Sequence, residues 1–351
     1  VEQETCSFFL RSTWNIDLFF VAVELLVLTK NVPRGTFRRT TETAALAHFA
    51  QARLWDSESC QHSFFCSFLQ ALFPCRGFLM LKARVISVSN QKGGVGKTTT
   101  AVNLAACLAA AEYRVLLVDL DPQGNASSAL GIDAREIKPS AYELLMQECE
   151  PTEAIVQTEL QCLDLVPSNQ DLIGAEIELV SAFGREQRLK CLLSSVSERY
   201  DFILIDCPPA LGLLTVNALV ASDSVLIPLQ AEYFALEGLS QLLKTVDLVR
   251  KFLNKDLAIE GILLTMFDRR NNLCHQVAAE VVQHFESKVF DTRIPRNVKL
   301  GEAPSFGKPI LLYDIQSPGA VAYLEATQEL IRRTQRPKPM KKADGKDAEA
   351  P

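Results

Sequence analysis

The ten cysteines of this 351-residue chain include no Cys-x-x-Cys pair; the closest two are Cys60 and Cys66. Zinc sites are usually built on tighter pairs and disulfide-stapled scaffolds are far shorter, so scattered reduced thiols are expected. A surplus of positive charge is missing too: 36 Lys and Arg against 42 Asp and Glu leave a net charge of −6. That excludes a global basic field as the source of nucleic-acid affinity. It confines any such binding to a local patch that salt would weaken. Long hydrophobic runs are also absent. The most apolar N-terminal stretch, residues 16–28, contains Asp17 and Glu24 and is too short to cross a bilayer. It lacks the basic start and small-residue cleavage site of a signal peptide, so a cytoplasmic protein with no membrane association is expected.

The hydrophobic fraction, 48%, suits a globular protein with a sizeable core. Composition changes near residue 80. The first 79 residues hold 11 of the 19 Phe and both Trp but none of the six Tyr. They show neither helical nor strand periodicity and no clear capping sequence. Residues 1–79 are therefore read as an extension of doubtful nature, with Met80 as the expected natural start. Arg76-Gly77-Phe78-Leu79 can be encoded as a purine-rich ribosome-binding sequence at a suitable distance from an ATG. The rival reading is a real extension with a partner-binding or targeting role, and the intact mass of the native protein separates the two.

From Arg84 the chain alternates short β-branched runs with longer amphipathic segments. Strands are expected at 85–88, 115–118, 163–166, 202–205, 225–229 and 261–266, and helices at 98–111, 235–252 and 273–285. This alternation predicts an α/β fold with a mostly parallel twisted sheet and helices on both faces. The last stretch, from Arg332, carries Pro337, Pro339 and Gly345 and turns from basic to acidic, so residues 334–351 read as a disordered tail. The folded domain is placed at 80–333.

The strongest motif is Gln91-Lys92-Gly93-Gly94-Val95-Gly96-Lys97-Thr98-Thr99, between an expected strand and an expected helix. Its glycines let successive backbone N–H groups turn toward a phosphate, and the new helix adds its unpaired amides and positive dipole end. Lys97 is expected to neutralise the β and γ phosphates of ATP and Thr98 to place a hydroxyl on Mg²⁺. The general P-loop has a glycine where Gln91 stands, and Lys92 is an additional lysine. Two carboxylate stretches complete the constellation: Asp119 and Asp121 after the second strand, and Asp206 at the end of Phe202-Ile203-Leu204-Ile205. Hydrolysis needs one group linked to Mg²⁺ and another that orients the attacking water. Asp206 is assigned to Mg²⁺ through water and Asp121 to the water, with Asp119 an alternative for either role.

The two-lysine loop resembles the deviant P-loop of the ParA/MinD branch of nucleotide-binding proteins. Residues 83 to about 333 as a whole resemble a ParA/Soj partition ATPase. The likeness is carried by 119–127, 206–217, 227–238 and 294–309, notably Leu229-Gln230-Ala231-Glu232-Tyr233-Phe234-Ala235-Leu236-Glu237-Gly238. The resemblance implies an ATP-dependent homodimer in which Lys92 reaches the partner subunit's phosphates. It implies nucleotide contacts from Gly93 to Thr99, Asn297 and Pro304, non-specific binding of double-stranded DNA, and a ParB-like centromere-binding protein that stimulates hydrolysis. DNA contacts are implied for Arg270 and Lys299, with Arg269 and Arg296 adding to the patch. Many relatives have Arg where this chain has Lys299, a weaker fork for phosphate. Related ATPases that position a protein cargo over the nucleoid share these features. A MinD-like division regulator would need an amphipathic C-terminal helix, which the tail does not offer. A nitrogenase-reductase-like protein would need paired cluster ligands, and Cys207 and Cys274 do not sit in such motifs.

Overall fold

A computed structural model describes residues 82–133, 137–232 and 235–335. The expectations for residues 1–79 and for the tail beyond residue 335 lie outside the described residues. Three apolar strands form the centre: β1 (Arg84–Val88), β2 (Val115–Asp119) and β5 (Phe202–Asp206). Nearly every residue in them is buried, as expected for parallel strands covered on both faces. The minor strands β3 (Val156–Gln157) and β4 (Leu163–Val166) extend one side, and β6 (Ser224–Gln230), β7 (Ala258–Phe267) and β8 (Val289–Pro295) the other. The order is β3-β4-β2-β5-β1-β6-β7-β8, parallel throughout except that β3 runs antiparallel to β4.

The connecting helices are α1 (Lys97–Ala110), α2 (Asn125–Ala129), α3 (Ala141–Met146), α4 (Leu172–Glu178), α5 (Arg188–Val196), α6 (Leu213–Ala221), α7 (Ala235–Phe252), α8 (Asn272–Phe285), α9 (Val298–Glu302), α10 (Ile310–Tyr313) and α11 (Pro318–Thr334). Alternate strand residues point to opposite faces. Leu116, Val118, Ile203 and Ile205 pack with Leu144, Leu172, Leu189 and Leu214 from α3 to α6. Val225, Ile227, Ile262 and Leu264 continue that layer under α7 and α8. The opposite face is covered by α1, which packs on β2 and β5 and is itself covered by α11. Sandwiched in this way, α1 is buried almost all round, and its small residues Ala101, Ala105, Ala106 and Ala109 allow the close approach. Each fully buried Val, Leu or Ile of these strands contributes about 1.5–3 kcal/mol.

The expected fold class is the one observed. Strands β3 and β8 are not among the expected strands. Strand β8 alternates exposed Asp291 and Arg293 with buried Ile294, so its sequence reads as polar although it completes the sheet edge. In the stretch from Arg332, residues Arg332–Thr334 continue α11. Arg333 there pairs with Glu329 at 2.6 Å and lies over the Phe290 ring, which holds the last turn to the body.

Candidate nucleotide site

Strands β2, β5 and β1 end in register: Asp119 opposite Asp206, and Asp206 opposite Val88. This brings both carboxylates to the carboxyl end of the sheet beside the loop that leaves β1, where open α/β sheets bind ligands. Gly94 (φ 72°) and Gly96 (φ 84°) take left-handed conformations that only glycine adopts without strain. Gly96 is the N-cap of α1, with no side chain of its own to satisfy the first amides. A Cβ built on Gly93 or Gly94 meets nothing within 4 Å, so the loop surrounds an open cradle.

Three side chains that the sequence reading did not single out hold this loop. Asn90 donates Nδ2 to the Pro228 carbonyl at 2.7 Å while its Oδ1 accepts from the Lys92 amide at 3.0 Å. Thr265 of β7 donates its hydroxyl to the Val95 carbonyl at 2.8 Å. Glu232 pairs with Lys92, Nζ to Oε2 at 2.7 Å. A polar residue directly after a buried strand was a legible hint for Asn90. Thr265 and Glu232 are distant in sequence, and only the topology joins them to the loop.

Lys97 is buried, and its ammonium donates to the Lys92 carbonyl at 3.1 Å. Burial pulls its pKa down, and the nearby Asp206, Cys207 and Asp121 oppose that shift. The carboxylates divide sharply. Asp119 accepts from the Ser127 amide and hydroxyl at 3.0 and 2.8 Å and from the Asp121 amide at 3.1 Å, so it organises the loop that follows β2. Even so, burial pushes its pKa up to about 7. Asp121 is buried beside it and accepts from the Gln123 amide at 3.0 Å. Asp206 is fully buried, and among the described residues neither of its oxygens has a hydrogen-bond partner of ordinary geometry. Burial and the neighbouring Asp119 raise its pKa well above the usual range, with the Thr98 side chain and Lys97 opposing.

A buried carboxylate without a partner is costly and calls for a cation or water. Among the described residues no group of three or more His, Cys, Asp or Glu is arranged to hold a metal alone. A hard cation held near Asp206 through water would therefore draw its oxygens from Thr98, water and a bound phosphate, as Mg²⁺ in nucleotide sites does. The open glycine cradle, the buried Lys97 and the orphaned Asp206 together fit a nucleotide with Mg²⁺.

A family model described as an AAA domain matches residues 83–259. The chromosome partitioning protein ParA of Myxococcus xanthus is 59% identical over 250 residues, covering 71% of this chain and 88% of the relative. The sporulation initiation inhibitor protein Soj of Bacillus subtilis is 58% identical over 247 residues, 70% of this chain and 98% of the relative. The chain belongs to the ParA/Soj family. As a ParA/Soj ATPase it shares its fold with solved P-loop relatives. One is named cobyrinic acid a,c-diamide synthase, from Mycobacterium smegmatis with bound ADP and magnesium. It is 38% identical with a TM-score of 0.64, over 74% of this chain and all of that one. Another is the cell division ATPase MinD of Pyrococcus furiosus, 26% identical with a TM-score of 0.59, over 71% of this chain and 99% of that one.

The other residues that the resemblance singled out fall elsewhere. Asn297 caps α9, its side chain accepting from the Lys299 amide at 2.8 Å, and Pro304 sits exposed in the following turn. Among the described residues no hydrogen bond joins either to the P-loop. Arg269 and Arg270 are exposed after β7, and the Arg296 amide donates to the Phe267 carbonyl at 3.3 Å, which brings exposed Arg296 to the same sheet end. Among the described residues these three arginines have no acidic partner at ion-pair distance. Lys299 differs: its ammonium pairs with Asp314 at 3.2 Å and lies over the Tyr313 ring. Tyr233 and Phe234, in the most family-like stretch, lie outside the described residues. The six described cysteines are free, and Cys107 and Cys207 are fully buried. Among the described residues no helix is long and apolar enough to cross a membrane.

Proposed function

We propose that this chain is an ATP-driven partition switch, with its working domain at residues 80–333. The observation that carries the reading is Asp206, a buried carboxylate without a partner, in register beside a two-lysine P-loop. Gly93 to Thr99 hold the phosphates, with Lys97 against their charge. Asn297 and Pro304 add nucleotide contacts. Thr98 and Asp206, the latter through water, hold Mg²⁺, which when bound supplies charge neutralisation between the phosphates. Asp121 orients the attacking water. Lys92 leaves Glu232 and crosses to the partner subunit's phosphates, so ATP drives homodimerisation. The dimer binds double-stranded DNA without sequence preference through Arg269, Arg270, Arg296 and Lys299. Phosphate contacts by such a cluster suffice for non-specific binding despite the negative net charge. A ParB-like centromere-binding partner stimulates hydrolysis and releases the dimer, giving a cytoplasmic protein on the nucleoid that moves chromosomes or plasmids apart.

Duplex-DNA binding with ATP, with ADP and without nucleotide across a salt series tests this. Salt-sensitive binding only with ATP supports the switch, and Arg270→Glu should weaken it while leaving the ATP-bound dimer intact. Binding that ignores nucleotide rejects it. The 38% identity to a protein named as an amide synthase supports a second reading, ATP activation of a carboxylate for amidation. ADP release that depends on glutamine would favour it, but the 59% and 58% identities to ParA and Soj favour partition.

A further inference from the structure

Asp121, proposed to orient the attacking water, sits in a turn tied mostly to itself. Its amide donates to Asp119 Oδ1 at 3.1 Å, its Oδ1 accepts from the Gln123 amide at 3.0 Å, and its carbonyl accepts from the Gly124 amide at 2.9 Å. These bonds stay within residues 119–124, so they shape the turn without placing it against the sheet. Toward β5 the placement comes from Leu120, whose amide donates to the Asp206 carbonyl at 3.0 Å. Toward β4 it comes from Ser127.

Ser127 is fully buried on α2, and its hydroxyl is engaged in both directions. It accepts from the amide of Ser168, just past β4, at 3.1 Å. An amide can only donate, so the hydroxyl hydrogen is directed at Asp119 Oδ2, 2.8 Å away. The Ser127 amide donates to the same oxygen at 3.0 Å. Asp119 thereby supplies the cap that α2 lacks, since Gly124 at its N-cap has no side chain.

One chain of hydrogen bonds therefore runs from Ser168 through Ser127 and Asp119 to the Asp121 amide. The Ser168 carbonyl closes the same joint from another side: a Cβ built on Gly124 would lie 2.6 Å from it, so the turn seats directly on backbone. A buried hydroxyl is costly unless bonded, and this one commits both its bonds to the joint between β4 and the Asp121 turn. A reacting group needs that kind of support, because small displacements cost much of its rate. We infer that Ser127 is a positioning residue for ATP hydrolysis, setting through Asp119 where the Asp121 carboxylate stands in the nucleotide site. The inference rests on the reading of Asp121 as the water-orienting group.

The test measures phosphate release by the full chain over a range of ATP concentrations, with ATP-dependent DNA binding read on the same samples. Ser127→Ala should lower kcat about 10–100-fold, the scale of a slightly misplaced reacting group, and move KM for ATP less than about twofold. Ser127→Thr keeps the hydroxyl and should stay within about threefold of the unaltered chain. Ser127→Cys, a poor donor, should fall with Ser127→Ala, so the Thr and Cys variants decide the case even if Ser127→Ala folds badly. Ser128→Ala, which removes an exposed hydroxyl one residue along α2, should change nothing. The decisive arm is a double-mutant cycle: on an Asp121→Ala background, Ser127→Ala should lower kcat no further, because it acts through the group already removed. ATP-dependent DNA binding should persist in Ser127→Ala, because the bound state precedes hydrolysis. An unchanged kcat in Ser127→Ala, equal kcat in the Thr and Cys variants, or an undiminished loss on the Asp121→Ala background overturns the inference. So does loss of ATP-dependent DNA binding in Ser127→Ala, which would assign the residue to the fold. Unaltered turnover in Asp121→Ala alone instead removes the water-orienting reading beneath the inference, so the two failures are told apart.

Discussion

Two buried carboxylates stand at opposite ends of a scale. Glu329, on α11, accepts from the amides of Asp291 and Thr292 at 2.9 and 3.0 Å and from the Thr292 hydroxyl at 2.9 Å, and it pairs with Arg333. Burial pushes its pKa up, but these donors outweigh burial and the net shift is downward. Asp206 is more deeply buried and has no such set, and its pKa is driven up. The first is how a fold uses a charge to tie a helix to a sheet edge. The second is a charge kept for something that binds. Satisfaction of hydrogen-bonding capacity, more than burial, separates the structural acid from the functional one.

The comparison breaks most visibly at Asp206. Asp206→Asn should lower ATP turnover about 10²–10³-fold, the scale of losing one charge-stabilising group. The nucleotide-free protein should melt no lower, and by up to about 2–4 °C higher, because a buried charge without a partner is relieved. Calorimetry beside a phosphate-release assay reads both. The mirror experiment is Glu329→Ala, which should cost about 2–4 kcal/mol in denaturant unfolding and leave turnover per folded molecule near normal. An equal loss of turnover would mean that the α11 clasp shapes the site.

Acid sharpens the contrast. The Glu329 pKa is depressed in the folded state, so its contribution is present above the unfolded value, near 4.5, and is lost as pH falls through the folded value. Unfolding curves at falling pH should show a loss of stability below about pH 4.5 that Glu329→Gln does not share. The smallest effect is expected at Glu232. Its pair with Lys92 is part-exposed and worth about 0.2–1 kcal/mol. Glu232→Gln should strengthen ATP-dependent self-association no more than about fivefold, read by sedimentation. A decrease would give Glu232 a role within the dimer.

Much of this was legible in the sequence because local chemistry dictates it. The strands around the site are continuous apolar runs, and Lys92-Gly93-Gly94-Val95-Gly96-Lys97-Thr98 carries its own geometry. Asp206 was legible for the same reason, ending an apolar run. What escaped depends on long-range pairing. Thr265 meets the P-loop because β6 lies between β1 and β7, an order no local pattern states. Strand β8 escaped because an edge strand shows one polar face, and the last turn of α11 because its hold on the body is an ion pair and a ring contact. Lys299 was legible as a cation but not as one already engaged by Asp314.

The sandwiching of α1 between the sheet and α11 has a consequence for synthesis. The P-loop leaves the ribosome early, yet β1 needs β5 and β6 as neighbours and α1 needs α11 as its cover. A nascent chain truncated before α11 therefore leaves the outer side of α1 without its cover, although every residue named around the P-loop is already present.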